Sequence, residues 1–203
     1  MMVQRVLLLS GGLDSIALAW ALRPARALTI DYGQRAFGGE VRASQAVCTE
    51  LGIAHEVVTV DCRQFGSGDL SESTALAIAP IPEWWPYRNQ LLASIAAMHV
   101  VRTGPTELVF GTVRTDAEHA DGRPEFIVAL DALLRCQEGG VVVAAPAIGK
   151  STVELVRGAN VPLDLLHWAH SCHTGEWACG ECRGCAKYSI VMDELMTGAA
   201  TNA

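Results

Sequence analysis

Short apolar runs alternate along most of this chain with segments whose apolar positions recur at helical spacing. The runs predict strands at residues 5–9, 27–31, 56–60, 107–111 and 141–144, and the segments between them predict helices near 13–22, 38–51, 89–101, 124–135 and 152–158. Alternation of this kind is typical of right-handed βαβ units on a parallel sheet. We therefore expect an α/β fold, with an open, mostly parallel five-stranded sheet and helices on both of its faces.

Two parts of the chain depart from this alternation. The connection 62–87 is rich in glycine and proline, which predicts an ordered active-site loop without a long regular element. Residues 160–203 carry a dense group of cysteines and then a helical pattern over 188–196, which predicts a small C-terminal zinc lobe with a closing helix. With 203 residues, of which 50% are hydrophobic, we predict that 1–203 is a single domain to which 160–203 is appended.

A glycine-rich segment joins the first predicted strand to the first predicted helix, and we call it the phosphate loop: Ser10, Gly11, Gly12, Leu13, Asp14 and Ser15. Glycine lets the backbone turn sharply and approach a ligand, while the amides at a helix N-terminus favour an anion. The segment has neither the Gly-Lys-Ser/Thr ending of a Walker A motif nor the Rossmann spacing of glycines. A phosphate loop without that lysine suits chemistry at the α-phosphate, in which pyrophosphate leaves as a unit. A plain strand-to-helix turn capped by Asp14 and Ser15 is the alternative.

Polar residues also follow the second and the fourth predicted strands. The segment Asp31-Tyr32-Gly33-Gln34-Arg35 comes after the second strand, and Gly111-Thr112 comes after the fourth. Ligands of open parallel sheets bind beyond the carboxyl ends of the strands, where the strand order reverses. We therefore expect these two segments and the phosphate loop to converge on one crevice.

Four of the seven cysteines are crowded into one short stretch with the spacing C-x6-C-G-x-C-x2-C: Cys172, Cys179, Cys182 and Cys185. Tight turns at Gly180 and Gly184 would let four thiolates converge on one tetrahedral Zn²⁺, a closed structural site that stabilises the fold and does not activate water. A redox pair of Cys179 and Cys182 is one alternative, and a histidine among 167, 170 and 173 in place of one cysteine is another. The other three cysteines are expected to be buried or half-buried thiols in a reducing compartment.

The charge and hydropathy of the chain restrict the kinds of partner that it is expected to bind. A formal net charge of -7 argues against broad nucleic-acid binding, which relies on clustered lysine and arginine, and it favours a small polar substrate. Mean hydropathy is high at +0.25, yet the apolar runs are far too short to span a bilayer. The first residues show no signal-peptide pattern, so we expect a cytoplasmic protein that does not bind a membrane.

Further motifs accompany the phosphate loop in a fixed order. They are Asp31-Tyr32-Gly33-Gln34-Arg35, Pro86-x-Arg88-Asn89, Arg123-Pro124-Glu125-Phe126, Ala145-Pro146, Val161-Pro162-Leu163 and the four cysteines. With these motifs the chain resembles, over nearly its whole length, the 7-cyano-7-deazaguanine synthases, a family of adenylating PP-loop enzymes. The phosphate loop alone would also fit tRNA thiolases, lysidine synthases and amidotransferases that share the fold, whereas the motifs together are much more restrictive.

The resemblance implies an ATP-dependent carbon–nitrogen ligase. Such an enzyme adenylates the carboxylate of 7-carboxy-7-deazaguanine and converts it with ammonia, via the amide, to 7-cyano-7-deazaguanine, releasing pyrophosphate and AMP or ADP and phosphate. The implied cofactors are ATP, Mg²⁺ and the structural Zn²⁺, and the implied assembly is a homodimer.

The resemblance also implies roles for individual residues. Catalysis is expected from Asp14, which helps to place Mg²⁺, from Arg88, which stabilises charge on the acyl phosphate or the substrate carboxylate, and from Asn89 and Lys150. The nucleotide is expected at the phosphate loop, Asp31, Gly111 and Thr112. The substrate is expected at Tyr32, Gln34, Arg35, Arg88, Asp121, Arg123 and Glu125. A helix cap for Asp121, and a surface pair for Arg123 with Glu125, are the alternatives.

The chain departs from the family pattern in ways that concern the product. Residues 117–122 are shorter than the tyrosine-rich run that family members carry, and Thr152 stands where they carry a lysine, for which Lys150 is the expected substitute. These departures leave open a paralogue of secondary metabolism or defence that stops at the amide or passes the acyl group to another amine, such as a protein amine. A PP-loop tRNA-modifying enzyme and a non-catalytic nucleotide-binding module are further alternatives.

Overall fold

Five strands form an open sheet in the computed structural model, which describes residues 3–200. They are β1 (Gln4–Leu8), β2 (Arg26–Asp31), β3 (Ala54–Thr59), β4 (Thr106–Val109) and β5 (Val142–Ala144). Their order in the sheet is β3-β2-β1-β4-β5, and every neighbouring pair is parallel. The predicted fold class is confirmed.

Helices cover both faces of this sheet. They are α1 (Leu13–Leu22), α2 (Phe37–Leu51), α3 (Arg88–Val100), α4 (Pro124–Arg135), α5 (Thr152–Gly158), α6 (Leu163–Leu166) and α7 (Arg183–Ala200). One hydrophobic cluster packs α1, α2, α5, α6 and α7 on one face, and a second packs α3 and α4 on the other. Leu7 of β1 enters the first cluster and Val6 enters the second, because successive side chains of a strand point to opposite faces. A strand that is buried on both faces reads as an uninterrupted apolar run.

The strand order reverses beside β1. The chain runs from β1 through β2 to β3 on one side, and then α3 crosses the opposite face to reach β4 on the other side of β1. The carboxyl ends of β1 and β4 therefore flank the reversal point, which is where open parallel sheets bind their ligands.

The connection between β3 and α3 is an ordered loop, as predicted. Its regular structure consists of two short 3-10 turns, Arg63–Phe65 and Gly68–Leu70. Trp85 anchors its far end, since this side chain is 2% exposed and packs edge-on against Tyr32 with ring centroids 4.9 Å apart. The loop is thereby held against the site end of the sheet.

The closing helix is longer than the predicted range 188–196, because α7 already begins at Arg183. Gly184 was expected to form a turn, but it lies in the first turn of α7, where a Cβ atom would collide with the carbonyl oxygen of Ser171. Gly180, in contrast, has a φ of +80° and lies in a bend of the chain, a conformation that favours glycine. The glycine at 184 therefore serves close packing rather than chain reversal.

The C-terminal segment contributes to the main core. Leu165 of α6 and Leu195 of α7 belong to the same hydrophobic cluster as α1. The predicted domain range 1–203 extends past the described residues at both ends, and its division into a domain and an appended lobe stays a prediction. Within residues 3–200, none of the helices combines the length and the apolar character needed to cross a membrane.

Candidate active site

A cavity of about 750 Å³ opens at the carboxyl ends of β1 and β4. Its walls come from the phosphate loop, the end of β4, the start of α3, the segment 170–173 and α7. The cavity therefore lies at the predicted crevice, and the C-terminal segment forms part of its wall.

The phosphate loop is shaped by close backbone contacts. Gly11 has a φ of +72°, and a Cβ atom there would lie 2.7 Å from the carbonyl oxygen of Glu40 and 2.9 Å from the Cβ of Ala43. The N–H of His170 donates to the carbonyl of Gly11 at 2.8 Å. Gly12 occupies the N-cap of α1 without a capping side chain, so the first-turn amides carry the positive end of the helix dipole toward the cavity.

A lysine from α7 reaches this loop. Lys187 Nζ lies 2.9 Å from Asp14 Oδ2 and 3.9 Å from Asp116 Oδ1. Burial disfavours the charged form of Lys187, but the two carboxylates outweigh it and raise the pKa of the ammonium group. Asp14 Oδ1 is buried and has no hydrogen-bond partner among the described residues. The loop is thus bordered by one cation and by a carboxylate oxygen that is free to bind a metal.

Arg88 and Asn89 begin α3 at the opposite wall. The backbone N–H of Asn89 donates to Asp121 Oδ2 at 3.1 Å, and its side-chain amide donates to the Asp121 carbonyl at 2.9 Å. Asp121 is therefore fixed to the start of α3, not to the α4 turn for which a cap was considered. Burial disfavours the charged form of Arg88. Tyr32, Asp121 and further acidic groups outweigh this effect and raise the pKa of the guanidinium.

The structure brings most of the predicted site residues to the cavity. Those that line it are Ser10, Gly12, Leu13, Asp14, Ser15, Tyr32, Gln34, Arg88, Asn89, Gly111, Thr112 and Asp121. Gly11 does not line the cavity; it lets the phosphate loop pack closely against α2. Gln34 is committed to the turn after β2, because its amide nitrogen donates to Ile30 and Glu40 and its oxygen accepts from the N–H of Tyr32.

Besides Gly11 and three of the four metal ligands, five predicted site residues lie outside the cavity lining: Asp31, Arg35, Arg123, Glu125 and Lys150. Asp31 accepts a hydrogen bond from the N–H of Gly33 at 3.0 Å and thus holds its own turn. Arg123 donates to the Ala117 carbonyl at 3.1 Å, and among the described residues it forms no ion pair with Glu125. Lys150 is exposed and directly precedes Ser151, the N-cap of α5.

Glu40 is a titratable residue of the cavity that sequence reasoning missed. It lies in the first turn of α2 and accepts a hydrogen bond from Gln34 Nε2 at 2.7 Å. Burial raises the pKa of its carboxyl to about 7. The sequence predicts only an ordinary charged residue in the first turn of a helix, because its neighbours in sequence do not show that the phosphate loop packs against it.

Substituting Glu40 by glutamine is expected to flatten the pH dependence of stability. A raised folded pKa means that the folded protein holds the proton more tightly than the unfolded chain, so this stabilisation is full below pH 4.5 and disappears as the pH rises through about 7. The change amounts to at most about 3 kcal/mol. Denaturant unfolding of both proteins from pH 5 to 8 measures it, and parallel curves for the two would contradict the assignment.

The four predicted metal ligands converge. The sulfur atoms of Cys172, Cys179, Cys182 and Cys185 all lie within 4.8 Å of one another. Backbone amides surround them: the N–H of Cys182 donates to Cys179 Sγ at 3.3 Å, and the N–H of Cys185 donates to Cys182 Sγ at 3.5 Å. Amide donors stabilise thiolates, and four converging thiolates match a tetrahedral zinc site. The residues present can hold a metal such as zinc.

A family model described as "Queuosine biosynthesis protein QueC" matches residues 4–191. The chain belongs to this family. The resemblance inferred from the motifs is thereby confirmed, and the matched range takes in the phosphate loop, Arg88, the four cysteines and Lys187.

Curated relatives agree with the QueC match at modest identity. A 7-cyano-7-deazaguanine synthase from Desulforudis audaxviator is 31% identical and aligns over 90% of this chain and 93% of its own length. A 7-cyano-7-deazaguanine synthase from Thermoplasma volcanium is 33% identical and aligns over 89% of this chain and 82% of its own length. Among solved structures, an NMN synthetase from Francisella tularensis aligns with 96% of this chain and 77% of its own at 16% identity and a TM-score of 0.39.

Lys187 is the most consequential residue that sequence reasoning missed in this QueC-family chain. The predicted closing helix began at 188, one residue too late to include it. The available signal was its position directly after the last cysteine motif, which ties its helix to the cavity wall. Asp116, which accepts the N–H of Val113 at 2.9 Å, and the buried Glu83 were missed as well.

Proposed function

We propose that this chain is an ATP-dependent synthase that converts the carboxylate of 7-carboxy-7-deazaguanine with ammonia, via the amide, to the nitrile. The observation that carries the proposal is that one cavity joins the phosphate loop to Arg88 and Asn89. Membership of the QueC family and relatives named 7-cyano-7-deazaguanine synthase support it. We also infer from the family a homodimer in the cytoplasm.

The phosphate loop and Lys187 would hold the β- and γ-phosphates. The first-turn amides of α1 and the ammonium group of Lys187 present positive charge where pyrophosphate leaves. Asp14, with its free Oδ1, and Asp116 would hold Mg²⁺, which neutralises the phosphate charge. Gly111 and Thr112 would lie against the nucleotide.

Adenylation gives the poorly electrophilic carboxylate a leaving group. A carboxylate oxygen attacks the α-phosphorus, the bond to pyrophosphate breaks, and an acyl adenylate results. Ammonia then attacks the acyl carbon, AMP leaves with the bonding electrons, and a proton is lost to give the amide. Arg88 is suited to stabilise the negative charge that develops on the acyl and phosphoryl oxygens, while Asn89 and Asp121 fix its helix.

The nitrile requires a second activation. The amide oxygen attacks the α-phosphorus of a second ATP and displaces pyrophosphate. Loss of both N–H protons and of AMP, which carries the oxygen away, leaves the carbon–nitrogen triple bond. The position of Lys150 favours one competing outcome, a paralogue that stops at the amide or transfers the acyl group to another amine, because this residue lies outside the cavity. Lys187 is the lysine that would serve both activations in the proposed synthase.

Incubation of the zinc-loaded protein with 7-carboxy-7-deazaguanine, ATP, Mg²⁺ and ammonia tests the proposal. We expect AMP, pyrophosphate and a nitrile that mass spectrometry identifies. Accumulation of the amide alone would support the paralogue, and absence of AMP with this acid would contradict both. Salt-sensitive tRNA binding would support the tRNA-modifying alternative instead.

A further inference from the structure

Glu83 is a buried carboxylate that the proposed chemistry does not use. It lies in the loop before α3, is 7% exposed and lines the cavity. Its Oε2 atom is buried and has no hydrogen-bond partner among the described residues. Its Oε1 atom lies 3.4 Å from Arg183 Nη1. One oxygen is therefore oriented by a cation, and the other is left free.

Arg183 does not satisfy Glu83 fully. The guanidinium makes its short contact with Glu118, at 2.6 Å, and this second carboxylate is exposed. Isolated buried charge is costly, so a carboxylate oxygen kept in a cavity without a donor is suited to a ligand that brings one. Trp85, two residues after Glu83, is buried and packs against Tyr32, and this contact anchors the loop that carries the carboxylate.

The charges around the cavity indicate what kind of ligand fits. Arg88, a cation, and Glu83, a carboxylate, line the same cavity. A 7-deazaguanine acid has matching ends, since its carboxylate projects from the five-membered ring while the N–H donors of its ring nitrogen and exocyclic amine lie on the six-membered ring. A carboxylate accepts such a pair of parallel donors in a planar, two-bond arrangement.

We propose that Glu83 is the specificity residue that accepts the ring N–H and the exocyclic amine of the base. The proposal rests on the proposed function, because it names the group that reads the base of that substrate. A site built around an N–H donor rejects an analogue that lacks it, since the buried acceptor is then left unpaired.

Calorimetric binding to the zinc-loaded protein tests this with two probes, 7-carboxy-7-deazaguanine and its analogue without the exocyclic amine. The unsubstituted protein is expected to bind the first about 10- to 100-fold more tightly. Glu83→Gln is expected to abolish most of that preference, because the amide offers a donor where the base also offers donors. Glu118→Gln is the matched control: it removes the other partner of Arg183 and should keep the preference.

Each result decides a different question. Equal binding of the two acids by the unsubstituted protein, or an unchanged preference in folded Glu83→Gln, would overturn the role of Glu83 while leaving adenylation intact. Loss of the preference in both variants would show that the Arg183 ion pairs, not Glu83, read the base, and would also overturn it. Binding of neither acid by the unsubstituted protein would overturn the proposed function and this inference together.

Discussion

Replacing Lys187 by methionine is expected to slow acid-dependent AMP formation by about 100- to 1,000-fold. The ammonium group lies 2.9 Å from Asp14 beside the phosphate loop, where the proposed reaction would develop negative charge as pyrophosphate leaves. Methionine keeps an unbranched apolar stem but carries no charge, so this stabilisation of the transition state is lost. Chromatographic measurement of AMP at saturating ATP and acid gives the rate.

Lys150 supplies the matched comparison, because the chain contains two lysines, at 150 and 187. Lys150→Met removes the same charge from an exposed position outside the cavity lining, and we expect it to form AMP at the unsubstituted rate. Circular dichroism and zinc content should match in both variants. A slow Lys150→Met beside a fully active Lys187→Met would reverse the assignment and restore the role first predicted for Lys150.

The contact between Lys187 and Asp14 shows which part of the site a sequence pattern does not predict. It joins residues that are 173 positions apart. Local spacing predicts that α7 is a helix, but which of its side chains meets the phosphate loop depends on how the helix packs. Lys150 was closer to the expected position in sequence, yet it is exposed, directly before the N-cap of α5.

The sheet and the phosphate loop were predictable for local reasons. Parallel strands are buried on both faces, so each one stands out as an apolar run between helical segments. The loop was predictable because its glycines and its helix start are neighbours in sequence. Side-chain direction was not, and for this reason Arg35, Arg123 and Glu125 lie outside the cavity although their motifs lie beside it.

Removal of zinc is expected to weaken ATP binding about 10-fold or more and to lower Tm by about 10 °C. Cys172 of the four-cysteine cluster ends the short segment that begins at His170. The N–H of His170 donates to the Gly11 carbonyl of the phosphate loop at 2.8 Å, so the segment links the cluster to the loop. Gly184 packs against the Ser171 carbonyl in the same segment, so α7 and with it Lys187 would lose their anchor. The metal would affect nucleotide binding only by positioning the phosphate loop and α7, since four protein thiolates leave no open coordination site for the nucleotide.

Cysteine substitutions separate this effect from general thiol chemistry. Cys185→Ala removes one of the four converging sulfurs and should reproduce the loss of zinc. Cys136→Ala removes a thiol outside the cluster that is exposed, contrary to the expectation of a buried or half-buried one, and it should change neither zinc content nor ATP affinity. Because the sheet core is built without the cysteine cluster, circular dichroism should show that the metal-free protein retains its α/β structure. Folded, metal-free protein that binds ATP with unchanged affinity would contradict the link between the zinc site and the phosphate loop.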